Sequence, residues 1–118
     1  MAGYMTPSGI VVRQGDTFDI LLQFRAGKGK EIDISGWRIK MSVYDQTGKK
    51  LQFTKEGEIF DAPSGKARIE LKPEDTGIEV GDYITDIQVT TDQQDVHTIF
   101  PQDINRVAVF RVTGQVTK

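Results

Sequence analysis

The chain has 118 residues, enough for one domain with its own hydrophobic core, and it carries no cysteine that could staple a smaller one. Lys and Arg total 15 against 17 Asp and Glu, a formal net charge of −2. There is thus no basic excess of the kind that drives phosphate binding, and no nucleic-acid partner is expected. The N-terminal MAGYMTPSG lacks a basic then apolar leader, and no apolar run nears the ~20 residues of a membrane span, so a soluble product made in the cytoplasm is expected.

Residues 1–9, with Gly3, Pro7 and Ser8, read as an N-terminal arm that orders against a partner, and residues 10–118 as one domain. Ile10 to Arg13 is a short first strand. Phe18 to Arg25 alternates, with Phe18, Ile20, Leu22 and Phe24 on one face and Asp19, Leu21, Gln23 and Arg25 on the other. A helix would space these residues three and four apart, so the period of two predicts a half-buried strand. Gly27-Lys28-Gly29-Lys30 lacks the spacing of a phosphate loop and reads as a basic hairpin tip.

Trp37 to Tyr44 repeats the alternation, with Trp37, Ile39, Met41 and Val43 inward. After the Gln46-Thr47-Gly48 turn, Leu51 to Thr54 and Ile59-Phe60 are weaker strands, the second an edge piece before the Asp61-Ala62-Pro63-Ser64-Gly65 turn. Ala67 to Lys72 places Ala67, Ile69 and Leu71 inward. Lys72 to Gly77 is a single helical turn, with Pro73 at its start, acids in the first turn and a glycine stop. Tyr83 to Thr90 turns Tyr83, Thr85, Ile87 and Val89 inward, and Val96 to Phe100 and Val107 to Val112 close the domain. Turns recurring roughly every 8–12 residues predict an all-β sandwich or barrel. The expected core includes Phe18, Trp37, Ile39, Ile69, Leu71 and Ile87, and the expected free edges are the first strand and the Leu51 to Phe60 region.

The chemistry-bearing residues are sparse. His97 is the single histidine and sits on an alternating strand, where a solvent-facing imidazole is the simplest reading. Asp16 and Asp19, Glu74 and Asp75, and Asp92 and Asp95 lack the dense spacing of a calcium loop. Asp in turns is explained by bonds to nearby backbone N–H groups. No catalytic residue, metal ligand or cofactor is expected, and the chain reads as non-enzymatic.

Two motif sets carry a resemblance. Leu71-Lys72-Pro73-Glu74-Asp75-Thr76 resembles the corner before strand F of immunoglobulin variable domains, which implies a structural corner fixed by Asp75 and Tyr83, the tyrosine hydroxyl bonding back to upstream backbone. Gly77 to Asp82 lengthens the gap, and no cysteine follows. Over residues 12–118 the chain orders Gly15-Asp16-Thr17-Phe18, Ile32-Asp33-Ile34-Ser35-Gly36-Trp37, Tyr44-Asp45-x-x-Gly48 and Asp61 to Gly65. It continues with Ala67-x-Ile69-x-Leu71, Glu74-Asp75-Thr76, Gly81-Asp82-Tyr83-x-x-Asp86-Ile87 and Val112-Thr113. This succession is similar to the immunoglobulin-like domains of tailed-bacteriophage structural proteins, such as the N-terminal domain of baseplate upper proteins.

The resemblance implies an immunoglobulin-like antiparallel β-sandwich of about 7–9 strands. It further implies a structural part of a virion (tail, baseplate or neck) whose partners are other phage structural proteins, as a homo-oligomer or as copies around a larger assembly. The alternative is a carbohydrate-binding sandwich used in host attachment, which would expose aromatic platforms.

Overall fold

The computed structural model describes residues 3–101 and 107–114. Ten strands are described: β1 Gly3–Thr6, β2 Gly9–Arg13, β3 Phe18–Gln23, β4 Arg38–Tyr44, β5 Leu51–Glu56, β6 Glu58–Asp61, β7 Lys66–Leu71, β8 Gly81–Thr90, β9 Val96–Phe100 and β10 Ala108–Thr113. One helical turn, α1, spans Pro73–Thr76, as the proline, the acids and the following glycine predict. The large sheet runs β1-β2-β10-β8-β4-β5, with β9 beside the second half of β8, and the small sheet runs β3-β7-β6. The chain changes sheets between β5 and β6 at Gly57, whose N–H still bonds the Ile39 carbonyl of neighbouring β4 at 2.8 Å.

The alternating residues meet between the two sheets. From the small sheet come Ile20, Ala67, Ile69 and Leu71; from the large one come Ile10, Val12, Ile39, Met41, Val43, Ile87, Val89, Ala108, Phe110 and Val112, all buried. Of the residues expected in the core, Ile39, Ile69, Leu71 and Ile87 are thus fully enclosed. Phe18 and Trp37 are only partly buried and pack against the rim. Trp37 precedes β4 rather than opening it, and its ring meets Phe24 edge-on at 5.4 Å between centroids. The tight turn Ile34-Ser35-Gly36-Trp37 sets that position: the Trp37 N–H bonds the Ile34 carbonyl, and Gly36 takes φ +80°, the left-handed residue that a type II turn requires.

Three expectations need correction. Within residues 1–9, Gly3–Thr6 form an edge strand and not an arm, paired antiparallel with β2 through the two-residue turn Pro7-Ser8. The first strand, Ile10 to Arg13, is therefore no edge: β2 lies between β1 and β10. The sandwich is also not purely antiparallel, because β10 runs parallel to β2, with Phe110 opposite Ile10 and Val112 opposite Val12. Those two strands come from opposite ends of the domain, so no hairpin forces them antiparallel, and the intervening strands supply the long crossover that a parallel pair needs.

Candidate interaction face

Asp75 and Tyr83 fix the two ends of the crossing from β7 to β8. The Asp75 carboxylate accepts the Lys72 N–H at 2.8 Å, closing the first turn of α1, and also receives Lys55 Nζ of β5 at 2.8 Å. That ion pair is largely shielded, with side chains 13% and 25% exposed, and it ties the edge of the large sheet to the corner that leaves the small one. Tyr83 donates its hydroxyl to the Glu79 carbonyl, four residues upstream. Burial, and then the Glu79 charge, push the Tyr83 phenol above its usual range. Buried Thr76 adds a third tie, donating to the Asp16 carbonyl at 2.6 Å. The corner thus holds by three separate anchors; Asp75 and Tyr83 act on different segments.

This geometry gives a direct expectation. Asp75→Ala leaves Lys55 and the Lys72 N–H without their shared acceptor in a shielded position and lowers stability by about 2 kcal/mol. Asp75→Asn, which retains an acceptor oxygen, costs less. Tyr83→Phe loses one hydrogen bond, about 1 kcal/mol. Urea denaturation of the three variants ranks them; equal stability of Asp75→Ala and the parent refutes the anchoring role.

The other polar candidates serve turns. Asp45 Oδ1 accepts the Thr47 hydroxyl at 2.6 Å and the backbone N–H groups of Thr47, Lys49 and Lys50, and the Thr47 bond chiefly holds its carboxyl below the usual range. Asp33 likewise accepts the Ser35 hydroxyl and N–H. His97 is exposed on β9, opposite Val89. Asp19, Glu74, Asp92 and Asp95 are exposed: Asp19 lies on β3, Glu74 on α1, and Asp92 and Asp95 in the turn between β8 and β9. Among the described residues, no group of three or more His, Cys, Asp or Glu is placed to hold a metal ion.

The outer face of the large sheet is a feature that reading for inward residues passes over. Register places Gly9 of β2, Val109 of β10, Ile84 of β8, Tyr44 of β4 and Leu51 of β5 side by side in one row. The next row holds Tyr4, Val11, Arg111 and Asp82. A half-solvated antiparallel sheet ordinarily shows polar residues on this side. Here Val11, Val109, Ile84 and Tyr44 are half-buried by their neighbours, while Tyr4 and Leu51 stand 56% and 49% exposed. Arg111 and Asp82 form a two-point ion pair, Nε to Oδ1 at 2.7 Å and Nη2 to Oδ2 at 3.1 Å. An open groove of about 520 Å³ runs between Tyr4, Val11, Val107, Val109 and Arg111. The sequence signal was present: around the last strand apolar residues occur at both parities, Ala108, Phe110 and Val112 on one and Val107 and Val109, ahead of Arg111, on the other.

A second groove, of about 570 Å³, opens between β3 and the β1 hairpin, walled by Met5, Leu22, Phe24, Ile99 and Phe100. It lies along the β3 edge, which has β7 on one side and, among the described residues, no strand on the other.

No family model matches the sequence, and no curated protein matches it. Among solved structures, the fold is similar to the crystal structure of CopC from Methylosinus trichosporium OB3b, with a TM-score of 0.50 and 15% identity over 94% of this chain and 89% of that one. At that identity the likeness concerns architecture alone, and it agrees with an all-β sandwich.

Proposed function

We propose that this chain is a non-enzymatic structural component of a phage virion, an adaptor or decoration domain of tail, baseplate or neck that works through protein–protein contacts. The observation that carries the reading is a set of strand edges left unpaired among the described residues, each with an exposed apolar side chain. These are β1 with Tyr4 and Met5, β5 with Leu51, β6 with Phe60 and β3 with Leu21. An edge strand offers unpaired backbone N–H and C=O groups to an added strand, and flanking apolar side chains give such pairing its specificity. The ordered motifs from Gly15-Asp16-Thr17-Phe18 to Val112-Thr113 supply the phage assignment, and the corner around Asp75 and Tyr83 supplies a rigid frame between the edges. Its partners on this reading are other phage structural proteins, met in the host cytoplasm during assembly.

The test is compositional. Gradient-purified particles from the organism that encodes the chain should contain it in many copies, and a cryo-electron-microscopy map should accommodate a sandwich with these sheet orders. Particles that lack the chain, with the protein found free in the lysate, overturn the proposal.

A further inference from the structure

We infer that the outer face of the large sheet is a pairing surface for a second copy of this chain, packed face to face about a two-fold axis. The inference concerns two copies of the chain alone and does not rest on the virion reading.

The first argument is the apolar row. Val109, Ile84, Tyr44 and Leu51 are contributed by four adjacent strands at one level of the sheet, so they form a band across it and not a scatter of single residues. Tyr4 and Val11 extend the band toward the free β1 edge. Contiguous outward apolar residues mark contact surfaces, whereas isolated ones do not.

Charge selects the occupant. On the row next to the band the charged groups come as opposite neighbours, Arg111 of β10 with Asp82 of β8, bonded at 2.7 Å. On that row a strongly acidic or basic partner finds no surplus of opposite sign. An isologous interface, by contrast, requires a patch that complements itself under a half-turn. A cation and an anion on the same row meet that requirement, because the rotation brings Arg111 of one copy toward Asp82 of the other. Each pair then exchanges partners without leaving a charge unmatched, while the bands of the two copies cover one another at the ~10 Å spacing of stacked sheets.

The experiment exploits that exchange. Sedimentation equilibrium of the full chain from micromolar to millimolar concentration should show a monomer–dimer equilibrium. Arg111→Glu alone places only acids at the 111 and 82 positions of both copies, and Asp82→Arg alone places only bases there. Each variant should dimerise at least about tenfold more weakly, since like charges across an interface cost free energy. An equimolar mixture of the two variants should recover the parental dimer, because every cross-copy contact is again opposite in sign. The chain carrying both substitutions should also dimerise like the parent. Recovery on mixing requires both variants to be folded, so it separates interface loss from misfolding. Val109→Lys, in the middle of the band, should abolish the dimer. A parent that stays monomeric at millimolar concentration, single variants that dimerise as well as the parent, or a mixture that stays monomeric each overturn the inference. A monomeric parent would leave the particle composition test of the virion reading untouched, so the two fail separately.

Discussion

Replacing Phe110 with Ala lowers the free energy of unfolding by about 3–5 kcal/mol, the largest loss expected from any single truncation in this fold. Phe110 is fully buried at the centre of β10, which is itself flanked by β2 and β8. Its ring meets Phe53 of β5 edge-on, with centroids 6.0 Å apart and planes at 76°. The substitution removes the ring from contact with side chains of several strands. It also leaves a cavity that cannot collapse, because the backbone on both sides is held by sheet hydrogen bonds. Against a total stability of about 5–15 kcal/mol for a domain of this class, that loss is a large fraction. Phe110→Leu, which retains much of the volume, costs clearly less. Leu21→Ala is the matching control: Leu21 is 72% exposed on the outer face of the small sheet, and its truncation changes stability by no more than about 0.5 kcal/mol. Urea titration followed by tryptophan fluorescence measures all three. An Ala variant within 1 kcal/mol of the parent would sink the assignment of Phe110 to the centre of the core.

Phe110 also shows where sequence reading stops. In β3, β4, β7 and β8 one face is apolar and the other polar except for Leu21, Tyr44 and Ile84, so parity still assigns the inward side and Ile39, Ile69, Leu71 and Ile87 are identified without any structure. In β10 parity is ambiguous, since Val107 and Val109 compete with Ala108, Phe110 and Val112 for the core. Only the pairing with Ile10 and Tyr83 on neighbouring strands resolves it. The same ambiguity hid the apolar band on the outer face. β1 was illegible for a different reason: Gly3-Tyr4-Met5-Thr6 is too short to display a period and gains its strand conformation from pairing with β2. The corner was legible because its signals are local. A proline, two acids and a glycine stop the chain for one turn whatever the partners. The parallel pairing of β2 with β10 joins residues a hundred positions apart, beyond the reach of any local pattern.

Gly65→Ala is the second large effect, and it arises from the backbone alone. Gly65 ends the Asp61 to Gly65 turn between β6 and β7, donating its N–H to the Ala62 carbonyl at 3.0 Å and accepting from the Phe24 N–H at 2.8 Å. It holds φ +69°, a left-handed conformation that costs an L-residue about 1 kcal/mol or more. A methyl group there would also lie 2.5 Å from the Phe24 carbonyl oxygen and 2.8 Å from that of Ile32. Both obstacles are main chain, so no rotamer change relieves them. The turn must draw away from the end of β3, and the Phe24 hydrogen bond lengthens or breaks. Left-handed strain, the clash and the weakened bond together cost at least about 2–3 kcal/mol. The damage is directional as well as energetic. Phe24 supports the edge of Trp37 and walls the groove beside β3, so shifting it changes the environment of the single tryptophan. The variant should therefore show both a lower denaturation midpoint and an altered native-state tryptophan emission. Gly29→Ala serves as the comparison: its φ is +74°, yet nothing lies within 4 Å of the added carbon, so it suffers the conformational strain without the clash. If the two alanine variants lose the same stability, the close approach of Gly65 to the strand end contributes nothing, and only the left-handed conformation matters.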